Sequence, residues 1–136
     1  MRTVNTKING LNSDQVRRDE ILGIDYHSDY LGGTESFVGL TIDELNQLLR
    51  ENFIDPYDRQ NDSPTVDEFR EFLTDHPEVT AHGYAVDKKR NDYRVSIEGI
   101  EFTGPVSIGT MLDFVKLCRY ADEFECTQNR LRAWWD

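Results

Sequence analysis

The run Asp25-Tyr26-His27-Ser28-Asp29 sets two carboxylates and an imidazole at alternate positions. In an extended strand successive side chains point to opposite faces, so Asp25, His27 and Asp29 would share one face. Those groups suit a hard or borderline divalent cation, or general acid–base work. The simpler reading is the polar side of an edge strand whose other side buries Tyr26 and Tyr30. An acidic chain also produces such a pattern by chance. A small metal-dependent enzyme or metal-binding protein built on these three residues is therefore the alternative function, not the leading one.

The remaining imidazoles carry no catalytic signature. His76 precedes Pro77 at the expected end of a helix, where a protonated ring interacts well with the dipole. His82 lies in an expected strand beside Gly83, and pairings with Tyr84 or Asp87 can be drawn without any motif to support them. No phosphate-binding glycine loop, zinc-protease helix or serine-hydrolase elbow occurs. The Asp-rich loop from Asp55 to Asp62 fails as a calcium loop, because it lacks the turn glycine and has Val66 where the twelfth ligand should be. No cofactor is expected, and the reading leans against an enzyme. Cys118 and Cys126 match neither a redox pair nor a zinc knuckle, and read as unbridged thiols.

Charge narrows the partner class. The 136 residues carry a formal net charge of −11. Residues 41–78 hold eleven acidic and three basic side chains, whereas 79–136 hold nine and eight. Such a field repels nucleic acid and anionic membranes and favours basic partners. The only basic cluster, Lys88-Lys89-Arg90 with Arg94, sits at an expected hairpin tip flanked by Asp87 and Asp92. An acidic, lysine-poor composition also suits a salty cytoplasm, so the bias has two readings. No apolar run approaches the ~20 residues of a membrane helix. The first fifteen residues lack the ~7–15-residue apolar stretch of an export signal, so a cytoplasmic location is expected.

The leading expectation is a non-catalytic protein-binding or regulatory module. Asp67, Glu68 and Glu71 would form an acidic helical face for a basic protein, such as a nucleic-acid-binding protein or a toxin met by its inhibitor. Mimicry of nucleic-acid charge belongs to the same class. Trp134 and Trp135 beside Arg132 have the composition of a binding hot spot, although the simpler reading is that both rings cover core edges as terminal packing. In a strand they would point to opposite faces. Direct nucleic-acid contact is not expected, and homo-oligomerisation stays open.

The elements that would position these groups are an α+β set. Thr41 and Glu44 form a capping box before an apolar stripe from Ile42 to Phe53, predicting a helix over 42–52. Thr65 and Glu68 repeat the box before a helix over 66–75, with Ser63 as the other possible cap. A third helix is expected over 111–122, capped by Thr110 and well buried through Met111, Phe114, Val115 and Cys118. After Pro77 the period falls to two, giving strands over 79–86 and 93–102 with a bulge at Gly99. A short hairpin around Gln128-Asn129 closes the chain. In the first forty residues, 13–22 read as a helix, 23–30 and 36–39 as strands, and Gly32-Gly33 as a turn. The fold expected is one acidic domain over 1–136, with an antiparallel sheet (hairpin about 79–102 plus the C-terminal hairpin) against about three helices.

Overall fold

Capped helices and period-two strands of this order need a sheet with one face to cover. The computed structural model, which describes residues 7–25, 30 and 33–136, has that arrangement. A small hairpin, β1 (Lys7–Ile8) and β2 (Leu11–Asn12), leads into α1 (Gln15–Leu22) and β3 (Thr34–Leu40). Then follow α2 (Ile42–Arg50), α3 (Val66–Asp75), β4 (Thr80–Val86), β5 (Val95–Thr103), α4 (Ile108–Leu117), β6 (Glu123–Cys126) and β7 (Arg130–Trp134). The main sheet runs β3-β4-β5-β7-β6, antiparallel throughout. The fold is α+β, as the patterning predicts.

Helix starts follow the local chemistry closely. At both Thr41 and Thr65 the side chain accepts the N3 amide while the N3 glutamate accepts the cap's own N–H. Ser63 is not the cap of α3; its hydroxyl oxygen accepts from Gln60 N–H instead. Leu45 and Leu48 of α2, and Val66, Phe69, Phe72 and Leu73 of α3, are buried in one cluster with Phe37, Ala81, Ala85, Ile97, Ile100 and Ala133 of the sheet. No helix of the described residues is long and apolar enough to cross a membrane.

The expected bulge is present, displaced by one residue. His82 faces Gly99 and Gly83 faces Ile97, so Glu98 is the extra residue. Gly83 is obligatory at this kink, because a Cβ there would lie 1.9 Å from Ser96 O.

Three expectations need correction. The third helix starts earlier and ends sooner, because Ser107 rather than Thr110 is its cap, with Ser107 Oγ accepting Thr110 N–H at 3.1 Å. It is also poorly buried: Phe114 and Cys118 face the core, while Leu112, Val115 and Tyr120 are exposed. It lies at the margin of the sheet, where the core covers one side only. Residues 23–25 are not strand; Gly23 closes α1 in the left-handed region, and 26–29 lie outside the described residues. The β1–β2 hairpin is additional. Asn9 and Gly10 take φ of 55° and 77°, the pair of left-handed residues a tight hairpin turn requires. Of the expected Gly32-Gly33 turn, Gly32 is outside the described residues and Gly33 has φ 86°.

Behind β3 and β4 sits a polar network the apolar periodicity does not announce. Arg18 of α1 is fully buried. It donates from Nε to Asp19 at 3.1 Å, from Nη1 to Val86 O at 2.9 Å, and from Nη2 to the Tyr30 hydroxyl at 2.9 Å. The Tyr30 hydroxyl donates in turn to Asp19 at 2.6 Å. The guanidinium also lies 4.7 Å from the centre of the Tyr93 ring. Burial raises the Asp19 carboxyl above the usual carboxylate range, opposed by the Tyr30 hydroxyl and Arg18.

Removing one member of such a network leaves the other charge stranded, which costs about 3–5 kcal/mol. Arg18→Ala should lower the urea unfolding free energy by that amount, and Arg18→Met with Asp19→Leu should recover only part of it, because Val86 O loses its Arg18 donor in both. A loss under about 1 kcal/mol in Arg18→Ala would remove the network from any role in holding α1.

Candidate functional site

A groove of about 390 Å³ lies between α3 and α4. Its form follows from the two helices. Phe69, Phe72 and Leu73 turn the apolar stripe of α3 into the core. Glu68, Glu71 and Asp75, at i, i+3 and i+7, then line up along one flank and face the groove. Phe72, Leu117 and Pro64 supply apolar lining, and Asp62 and Arg59 close it from the α2–α3 loop. On the far wall Lys116 and Arg119 follow Asp113, and the Arg119 guanidinium lies 5.0 Å from the centre of the Tyr120 ring. The groove has one acidic wall, one basic corner and an apolar floor.

A chain of polar contacts fixes its end. Asp113 Oδ2 is 2.8 Å from His76 Nε2, and His76 Nδ1 is 3.2 Å from Thr110 Oγ1. Thr110 Oγ1 is a further 2.9 Å from Ser107 Oγ. The order hydroxyl, imidazole, carboxylate is that of an activated nucleophile. The setting argues otherwise. The Thr110 hydroxyl is held on both sides, by Ser107 and by His76, within the first turn of α4. The Asp113 side chain is 59% exposed, so water rather than the ring takes much of its field. His76 caps α3 and packs on Phe72 with ring centres 4.7 Å apart. The contacts tie α3 to α4.

The acidic residues singled out from the sequence divide into different tasks. Asp67 pairs with Arg70 at 2.9 Å on the surface of α3. Glu68 lines the groove but also accepts from Thr65 N–H in the capping box. Glu71 lines the groove. Asp75, Lys116 and Tyr120 join them, none of which the sequence marks as a site residue. Asp75 was open to discovery, because it continues the Glu68–Glu71 spacing. The partners from α4 were not, since their approach is set by packing between distant segments.

The aromatic terminus splits as strand alternation requires. Trp135 is buried and meets Phe69 edge-on, ring centres 5.5 Å apart, whereas Trp134 is half-buried on the sheet's other face. Arg132 stands on that second face too, paired with Glu123 at 3.0 Å. Trp134 and Arg132 therefore share a surface that Trp135 does not. At the β4–β5 tip Arg90 and Arg94 both pair with Asp92, and Arg90 first among them holds that carboxyl below its usual range. Of the proposed metal trio, Asp25 is exposed, while His27 and Asp29 lie outside the described residues. Among the described residues no group of three or more His, Cys, Asp or Glu side chains could hold a metal ion. Neither cysteine is bridged; Cys118 is buried, and that burial pushes its thiol well up.

His82 faces away from the helices in the same row as Trp134, with its ring against Gly99. Burial lowers its pKa below the ordinary imidazole value. The unfolded chain then binds the proton more readily, so stability present above about pH 6.5 drains away as pH falls through that window. Urea titrations of wild type and His82→Gln between pH 7.5 and 5 test this. The wild-type curve should lose stability more steeply, and parallel curves would show that His82 titrates as in water. No protein-family model, curated protein or solved structure matches this chain.

Proposed function

We propose that this protein is a non-catalytic docking module whose α3–α4 groove receives a basic, partly apolar segment of another protein. The observation that carries the reading is the alignment of Glu68, Glu71 and Asp75 along a wall that borders Phe72 and Leu117. Carboxylates at that spacing can meet lysines or arginines on a bound segment, while the floor takes an apolar side chain between them. The concentration of acidic residues in 41–78 supports it further, because it draws basic partners towards this side of the molecule. Charge of this kind sets the encounter rate and the choice of partner more than the final affinity. Lys116 and Arg119 at the opposite corner favour a segment whose own acidic residue lies at one end.

Capture experiments distinguish this reading from a solubility role for the acidic surface. Wild-type bait and a Glu71→Lys/Asp75→Lys bait are incubated with lysate at low and high salt, and retained proteins are quantified by mass spectrometry. Both positions are exposed, so the substitutions leave the core alone. The expected result is a basic protein retained by wild type at low salt and reduced on the order of tenfold or more by either the double substitution or salt. Equal retention by the two baits, or none by wild type, would send the acidic wall back to plain solvation.

A further inference from the structure

α4 is the helix least matched to its surroundings. Ile108, Leu112 and Val115, at i, i+4 and i+7, are 73%, 67% and 45% exposed. Helix geometry fixes the direction in which they point. Asp113 reaches across to His76 of α3, and Val115, two positions on, lies about 200° around the helix from it. Phe114 stacks on Phe124 of β6 with ring centres 5.4 Å apart, so α4 stands above the last strand of the sheet. The apolar flank therefore overhangs the β6 edge. Phe124 beneath it is 46% exposed, and the four side chains together leave on the order of 400 Å² of apolar surface in water.

The strand under that flank is open as well. β6 pairs with β7 on one side, and no strand of the described residues continues the sheet on the other. Thr127 N–H donates to Arg130 O. Alternation along an antiparallel ladder then turns the N–H and C=O of Phe124 and Cys126 outward. The charges of β6 are already matched, Glu123 by Arg132 and Glu125 by Arg130. The other edge, β3, is protected differently, by an irregularity between Phe37 and Leu40 that breaks its register.

Charge decides what can cover this edge. Residues 106–136 carry five acidic and four basic side chains, against eleven and three in 41–78. A basic partner is drawn to the acidic side and not to this one. Two copies of a chain with a net charge of −11 need the reverse, a near-neutral face on which their acidic segments stay apart. We propose that the chain forms a two-fold homodimer through β6 and the overhanging flank of α4. Antiparallel pairing of β6 with its copy joins the two sheets into one. The same axis lays α4 against α4 of the partner in opposite directions, apolar flank to apolar flank, a self-complementary contact of the kind a two-fold requires. Strand pairing and helix flank together approach the ~800 Å² per partner of a standard stable interface.

Light scattering on size-exclusion fractions tests the proposal over protein concentrations up to about 1 mM. Wild type should show twice the 15.8 kDa chain mass. Ile108→Glu/Leu112→Glu should raise the dissociation constant about a hundredfold or more with an unchanged circular dichroism spectrum. Glu71→Lys/Asp75→Lys should stay dimeric, which separates this interface from the α3–α4 groove. Should the glutamate variant fold poorly, amide exchange of wild type tests the same contact: Phe124 and Cys126 are protected at high concentration and exchange freely on dilution. A wild-type monomer at every concentration would overturn the proposal and leave the flank to a foreign protein. A dimer that survives the α4 substitutions, or concentration-independent exchange at Phe124 and Cys126, would overturn it too.

Discussion

A guanidinium shut off from water ties the N-terminal part of the chain to the sheet. Arg18 cannot shed its proton inside a protein, so the cost of its burial has to be met by partners on every side. Asp19, Val86 O, the Tyr30 hydroxyl and the Tyr93 ring provide them. These groups come from α1, the end of β4, the segment before β3 and the entry to β5. A shift of Asp19, Val86 O or the Tyr30 hydroxyl takes a buried hydrogen bond from Arg18. One residue earlier, Arg17 points outward and pairs with Glu51 just past α2 at 2.9 Å. α1 is thus held on two sides by adjacent arginines, one deep and one at the surface.

Away from that anchor the helical layer loosens towards α4. α2 buries Leu45 and Leu48, and α3 buries Val66, Phe69, Phe72 and Leu73, in one cluster with the strands, which answer with small residues. Ala81, Ala85 and Ala133, three of the four alanines in the chain, are all fully buried there. The larger rings of Phe69, Phe72 and Trp135 pack in the same cluster, the large-against-small complementarity by which a core fills without voids. α4, the last helix in chain order, lies at the margin of the sheet. Phe114 and Cys118 reach the core, and the His76–Asp113 contact ties the helix to α3. The remainder of its apolar surface faces outward.

The acidic excess has more than one physical role. Asp43, Glu44, Asp67 and Glu68 stand in the first turns of α2 and α3, where the partial positive charge of the helix start favours them. Two of these, Glu44 and Glu68, also close capping boxes. That share of the charge is explained by folding alone. Glu71, Asp75 and Asp62 are not placed by any such local need, and they converge on the groove.

The linear order of residues was enough to specify α2, α3 and the β4–β5 pair, since a capping box acts over three residues and a strand's alternation over two. The same local rule separated Trp134 from Trp135. It went wrong at α4, where Ser107 and Thr110 offer competing caps and an apolar sequence does not reveal whether there is anything to pack against. Asn9-Gly10 is a legible turn signal, but the strands it joins are two residues each, too short for alternation to mark them. Glu68 and Glu71 were visible as part of an acidic helical face, but the groove they border and its opposite wall were not. Lys116 lies 45 positions from Glu71 in the chain, and only the packing of α4 beside α3 brings the two to one cleft. The Arg18 network belongs to the same class, because its members meet through chain closure rather than spacing. Local order sets what each segment can become, whereas which surfaces are left without a neighbour is decided by how the segments share a single core.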